Sequence, residues 1–184
     1  MDTYTKMHLY HTSSVEIRKP HIYHGRKNAD FGQGFYLTPD REFALRWASK
    51  DAMINEYILD IEGLSVYEFS RNEEWFEYIY NNRRFKDGLG HDVIIGPIAN
   101  DTIYDTFGIL TSGFVKPEHA VNILCMGPEY IQVAVKSEKA NKNLTWLGAN
   151  QVDNAEQYKE IVRKEEKEYQ EAFSEYLLNI SDNE

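Results

Sequence analysis

Residues 30–40 read Asp30-Phe31-Gly32-Gln33-Gly34-Phe35-Tyr36-Leu37-Thr38-Pro39-Asp40, and how this stretch folds decides the class of the chain. Gly32 and Gly34 are spaced as at the start of a dinucleotide-binding turn, where glycines let the backbone approach a pyrophosphate. Leu37 stands where the third glycine of that turn belongs, and the residues after Gly34 are aromatic and apolar, as in a strand. A Rossmann turn is therefore excluded. The stretch predicts a short strand at 35–37, entered through glycines that tolerate unusual backbone conformations, and then a helix with Thr38 as N-cap and Pro39 in its first position. Phe43, Ala44, Trp47 and Ala48 fall on one face of that helix.

Upstream, residues 7–10 have strand character and lead into His11 and Thr12, and 18–27 is a polar loop holding Arg18, Lys19, Arg26 and Lys27 without an acid. Downstream, 56–61 and 64–69 read as two strands around Glu62-Gly63. Ser70 with Glu73 forms a capping box for a helix whose apolar face is Trp75, Phe76 and Ile79. Val93-Ile94-Ile95 is a β-branched buried strand that leads to Asn100-Asp101, either of which can cap a helix with Ile103, Tyr104, Phe107 and Leu110 inward. Residues 121–124, 130–135 and 144–147 complete the strands. Short strands with helices interspersed irregularly, without a βαβ beat, predict an α+β fold.

The tail differs in kind. Asn154 with Gln157 forms a second capping box, and Tyr158, Ile161, Val162, Tyr169, Ala172, Phe173, Tyr176 and Leu177 recur at three and four residues. This pattern predicts one long amphipathic helix whose apolar stripe docks on the body of the chain or on a partner. Residues 1–150 then form one compact unit, and 151–184 the C-terminal helix.

Composition bounds the function. The 184 residues include 30 Asp and Glu against 20 Lys and Arg, a formal net charge of −10, with 42% hydrophobic and 14% aromatic residues. That is a folded chain, long enough for its own core. An acidic sum argues against passive coating of a phosphate backbone. The charge is uneven, however: residues 1–50 carry eight basic against five acidic side chains, and 151–184 carry four against ten. The acidity is shared between the middle of the chain, with eight basic against fifteen acidic residues at 51–150, and the tail, and the mildly basic front leaves a polyanionic acceptor open. Cys125 is the one cysteine, which excludes an internal disulfide and points to a reducing compartment. With no apolar run long enough to span a membrane, the expected location is the cytoplasm and no membrane partner is expected.

Three signals are set aside. His8 and His11 lie three apart on a strand, so they face opposite sides and cannot share a metal. His21 and His24 lack a third ligand nearby, so no metal is expected. Cys125 has no adjacent base and reads as a small buried residue.

What remains is a set of polar residues on short strands. Leu9-Tyr10-His11-Thr12, Gly32-Gln33-Gly34-Phe35-Tyr36-Leu37 and the late strand near Glu129 and Gln132 together resemble the ADP-ribosyltransferase superfamily, in its poly-ADP-ribose-polymerase-like and diphtheria-toxin-like branch. More closely, residues 7–147 are similar to DUF3990, a family of small bacterial and phage-associated proteins. The similarity runs through 9–12, 30–48, 93–102 and 131–140. It implies a split β core with peripheral helices and a cleft for NAD, which is consumed as a substrate.

The resemblance also implies roles. His11 would hydrogen-bond a ribose hydroxyl, Thr12 would hold the nicotinamide amide through its backbone, and Tyr36, beside Gly34 in the second element, would stack on the nicotinamide plane. Arg26 or Lys27 would pair with the pyrophosphate, and Asn100 is the next polar candidate for the cleft. The third element has two readings: Glu129 supplies a carboxylate at the ribose, whereas Gln132 is the residue that alignment with the family favours and supplies only a dipole. The function so implied is mono-ADP-ribosyl transfer to a protein or nucleic-acid acceptor, by an intracellular toxin or phage-conflict effector, with an antitoxin or inhibitor protein docking on the C-terminal helix. NAD hydrolysis, and a non-catalytic NAD-binding or partner-binding module, are the alternatives.

Overall fold

A computed structural model describes residues 5–84, 88–99, 119, 122–123 and 125–181. The strands are β1 (Lys6–Ser13), β2 (Phe35–Leu37), β3 (Met53–Asp60), β4 (Val66–Glu68), β5 (Val93–Pro97), β6 (Ile131–Val135) and β7 (Leu144–Gln151). The helices are α1 (Arg41–Leu45), α2 (Glu73–Arg84), α3 (Glu138–Lys142) and α4 (Ala155–Ser181). The fold is mixed α+β, built on two sheets.

One sheet has the order β1-β3-β7, antiparallel throughout, and the other β2-β6-β5-β4, in which only β4 and β5 run parallel. Leu9, Tyr57 and Leu59 from the first sheet meet Phe35, Leu37, Val93, Val133 and Val135 from the second in one shared core. Alternation on a pleated strand leaves the opposite faces free to bury helices. On the second sheet Ile94 and Ala134 pack under Trp75 and Ile79 of α2, and on the first Ile54 packs under Ala44 and Leu45 of α1. Each fully buried aliphatic side chain contributes about 1.5–3 kcal/mol.

The sheets are also joined by a backbone bridge beside the core. Tyr10 and Thr38 exchange backbone hydrogen bonds of 2.8 and 3.0 Å, joining the middle of β1 to the residue just after β2. This bridge keeps Thr38 extended, so α1 starts later than the sequence predicts. Asp40 is the N-cap, accepting from the Phe43 N–H, while the Thr38 hydroxyl donates to the Ile131 carbonyl at 2.8 Å. Trp47 is also corrected: it is 67% exposed, while Phe43, Ala44 and Ala48 are buried.

Other local expectations shift for similar reasons. The strands on either side of Glu62-Gly63 do not pair with each other, because β3 and β4 lie in different sheets. Asn72, not Ser70, caps α2, its Oδ1 accepting from the Trp75 N–H at 3.0 Å. Asn154 enters α4 with φ of +52°, a region asparagine tolerates, and the Gln157 N–H bonds its backbone carbonyl instead of its side chain. Within 121–124 the described residues, Asn122 and Ile123, are helical where a strand is predicted. Cys125 is exposed, not buried. The helix predicted around Ile103 to Leu110 lies outside the described residues.

Asn55 is fully buried in β3 and holds the chain that follows β1. Its Oδ1 accepts from the Ile17 N–H at 2.8 Å and the Trp146 indole at 3.2 Å, and its Nδ2 donates to the Val15 carbonyl at 3.0 Å. Asn55→Ala should cost about 3 kcal/mol, since polar groups lose buried partners together. A urea midpoint equal to wild type would show that the three bonds stabilise nothing.

Candidate functional site

A cavity of about 1020 Å³ opens beside the bridge between Tyr10 of β1 and Thr38 after β2. Its walls carry His11 and Thr12 from β1, Tyr36 from β2 and Gln132 from β6, with Arg26 contributed by the loop before β2. The sequence separates these residues by up to 121 positions; the two sheets bring them together. Its volume lies at the top of the range of small-molecule sites, about 300–1,000 Å³.

His11 is set by its neighbours. A carbonyl only accepts, so the 2.7 Å contact with the Tyr36 carbonyl puts the proton on Nδ1, which donates. Nε2 then carries a lone pair, and it makes no hydrogen bond among the described residues. The ring packs on Phe35 at 4.5 Å between centroids. Burial lowers the His11 pKa and outweighs the opposing effect of the Tyr36 carbonyl, so the ring is neutral at pH 7.

That state has a consequence for stability. The unfolded chain takes up a proton near pH 6.5 and the folded ring only at lower pH. The stability it contributes is complete above about 6.5 and is lost as the pH falls through the folded value. The unfolding midpoint of wild type should therefore drop more steeply than that of His11→Gln on going from about pH 7 to about pH 5. Parallel profiles would contradict a buried neutral imidazole.

Tyr36 lies on the cavity wall with its far end tied down. Its hydroxyl donates to the Gly32 carbonyl at 2.6 Å and accepts from the Phe31 N–H at 3.0 Å. Gly32 makes this turn with φ of +75°. The ring is thus a fixed apolar plane rather than a mobile one. Thr12 has its hydroxyl committed to the Ala44 carbonyl at 2.5 Å, which fastens β1 to α1.

Gln132 is 8% exposed, and its Nε2 donates to Asp30 Oδ2 at 3.2 Å. Glu129, the other candidate, is exposed in the segment before β6 and is not on the cavity wall, although Pro128 and Tyr130 are. Pairing of β6 begins only at Ile131, so alternation along the strand does not reach Glu129. Gly34 also lies off the wall. A Cβ there would sit 2.9 Å from the Val135 carbonyl oxygen, so glycine is needed for the close approach of β2 to β6. Asn100 and Asp101 lie outside the described residues.

Several wall residues are not among the predicted ones. Arg71 donates to the Met126 and Gly127 carbonyls at 2.7 and 3.0 Å, so its charge has no counter-ion among the described residues. Arg26, by contrast, is a predicted residue; it is exposed at the rim and makes no hydrogen bond or ion pair among the described residues. Asp30 and Arg83 form an ion pair of 2.6 Å. On the far wall, Arg46 pairs with both carboxylate oxygens of Glu165 from α4, and the Tyr130 hydroxyl donates to the same carboxylate at 2.9 Å. Asp30 could have been noticed as the acid that ends an acid-free basic loop; the Arg83 and Glu165 pairings carry no local signal.

Among the described residues no group of three His, Cys, Asp or Glu side chains could hold a metal, and no helix is long and apolar enough to cross a membrane.

The model of a family described as a protein of unknown function, DUF3990, matches residues 7–146. The chain belongs to that family. The match spans β1 to the start of β7 and includes every predicted wall residue, while α4 lies beyond it. Comparison with curated proteins and with solved structures returns no match.

Proposed function

We propose that the cavity binds NAD and that the protein transfers ADP-ribose from it to a macromolecular acceptor. The observation that carries this reading is the convergence of a neutral His11, a clamped Tyr36 ring and Gln132 on one cavity, in the pattern that resembles the ADP-ribosyltransferase superfamily. Each has a physical task. The Nε2 lone pair of His11 accepts from a ribose hydroxyl, and the Tyr36 face meets the cationic nicotinamide ring. Arg26 and Arg71 offer positive charge to the pyrophosphate. Thr12 offers its backbone to the nicotinamide amide.

The bond from ribose C1′ to the nicotinamide nitrogen breaks and its electron pair leaves with nicotinamide. An oxocarbenium-like carbon is left, which an acceptor oxygen or nitrogen attacks, losing a proton to solvent. Gln132 contributes an oriented dipole at the ribose. An amide cannot take up that proton, and this favours one second reading: retention of NAD or ADP-ribose by a module that does no chemistry. In either reading the setting is an intracellular effector whose inhibitor docks on α4.

Purified protein incubated with NAD should release nicotinamide, and tagged NAD should label a cell extract. Loss of the label to protease or to nuclease identifies the acceptor class. Nicotinamide without label means hydrolysis, binding without either means a module, and failure to bind NAD at high concentration removes the reading.

A further inference from the structure

Asp30 is 9% exposed and its carboxylate is filled by donors from three elements. Oδ1 accepts from Arg83 of α2, with Nε at 2.8 Å. Oδ2 accepts from the Ala99 N–H and from Gln132 Nε2, both at 3.2 Å. The backbone is fixed as well: the Asp30 carbonyl accepts from Asn82 Nδ2 at 3.0 Å, and the next residue's N–H is held by the Tyr36 hydroxyl.

The contact between Asp30 and Gln132 has a direction. A side-chain amide can be turned over at little cost, exchanging a donor for an acceptor, unless its partner accepts one end only. A carboxylate already taken by a guanidinium and an N–H is such a partner. It holds the NH2 end of Gln132, so Oε1 is the end left over. Gln132 is buried to more than nine-tenths on the cavity wall, and Oε1 has no hydrogen-bond partner among the described residues. Oε1 is not sealed in the interior: it reaches the open cavity, where a ligand hydroxyl can donate to it.

We propose that Asp30 is the positioning residue of this site: it grips Gln132 by its NH2 group so that Oε1 is presented, as an acceptor only, to a hydroxyl of the bound ribose. The inference rests on the NAD reading above and adds to it how an amide does the work expected of a carboxylate. Arg83 keeps the Asp30 carboxylate in place, and the Ala99 N–H fixes which oxygen faces Gln132.

The test is a polarity swap, read as nicotinamide release by the full chain. Asp30→Asn gives Gln132 a partner that can donate or accept, so the amide loses its fixed orientation. The expected loss is in kcat, on the order of 10²-fold, with KM for NAD unchanged. Gln132→Glu sets two carboxylates against each other and should also lose rate. When both substitutions are combined, the new amide donates to the new carboxylate at the expense of the Ala99 N–H contact, so the pair at position 132 is matched again with an oxygen still facing the ribose. The rate of this double variant should recover about tenfold or more over either single variant. Losses that simply multiply, or an Asp30→Asn enzyme as fast as wild type, overturn the role of Asp30 while the NAD reading stands. A wild-type protein inert toward NAD removes both, and that result is visible before any variant is made. Should the variants fail to fold, the wild-type chain still decides the matter. The Gln132 side-chain NH2, assigned in a spectrum of protein labelled at glutamine nitrogen, should be protected from solvent exchange, and exchange at the rate of an exposed amide overturns the proposal.

Discussion

Nicotinamide release is expected to fall on the order of 10²-fold or more in Gln132→Met and to stay at the wild-type rate in Glu129→Gln. Methionine matches glutamine in length and volume but carries neither the Oε1 acceptor nor the NH2 donor, so the change removes the dipole without opening a cavity. The fold should survive it. Asp30 keeps the Ala99 N–H and Arg83 when Gln132 no longer donates, and the lost hydrogen bond is worth about 1 kcal/mol. Glu129 is solvated and off the wall, so its charge does not reach the reacting carbon with useful strength. A loss in Glu129→Gln as large as that in Gln132→Met would mean that the segment before β6 turns inward when NAD binds. Both variants retaining full rate would leave the late strand without a catalytic role.

This pair of residues also illustrates what a sequence can and cannot deliver. The strands were legible from β-branched and aromatic runs: Phe35 to Leu37 and Val93 to Ile95 are strands as read, and the one read at 130–135 begins a residue later, at Ile131, because their patterning is local. So was the long terminal helix, from Tyr158, Tyr169 and Phe173 at helical spacing. Helix starts were not. Thr38 has the side chain of a cap, but its backbone is taken by Tyr10, twenty-eight residues earlier, and that bond has no trace in the local sequence. Trp47 has the hydropathy of a core residue and stands exposed, because α1 ends before it.

The site divides along the same line. His11, Tyr36 and Gln132 could be picked out by resemblance, each from a short motif. The residues that orient them could not. Arg83 reads as a basic residue in the last turn of a helix, favourable there against the dipole, and nothing near it indicates a buried acid 53 positions upstream. Choosing between Glu129 and Gln132 needed the register of β6 against β5, which places Gln132 opposite Gly96 in the ladder and starts the strand after Glu129.

Glu165→Ala should detach α4 from the cavity, with backbone amides around the middle of that helix exchanging hydrogen on the order of 10 to 10² times faster than in wild type. The helix is a long arm, about 40 Å at 1.5 Å per residue, and only part of its apolar stripe holds it. Ile161 and Val162 are 42% and 38% exposed and Leu178 is 65% exposed, whereas Tyr169 is buried against Phe76 and Met126. Charge supplies the second anchor. The Glu165 carboxylate takes both guanidinium nitrogens of Arg46 and the Tyr130 hydroxyl, and the Arg46 guanidinium lies 4.4 Å over the Tyr130 ring, which itself stacks on Phe43 at 4.3 Å. Burial works against the Arg46 charge, but the Glu165 hydrogen bonds and charge outweigh it and raise its pKa, so the guanidinium is held firmly protonated. With the Arg46 side chain 15% and the Glu165 side chain 28% exposed on the cavity wall, removing Glu165 leaves a partly desolvated cation with no counter-ion among the described residues, at a cost of about 1–3 kcal/mol. Helix opening relieves that cost by letting water reach Arg46. Local detachment rather than global unfolding is expected, because the shared core between the sheets contains no residue of α4. Glu165→Gln keeps one acceptor for Arg46 and should give a smaller acceleration. Exchange in Glu165→Ala indistinguishable from wild type would mean that Tyr169 and its apolar neighbours alone hold the helix against the body.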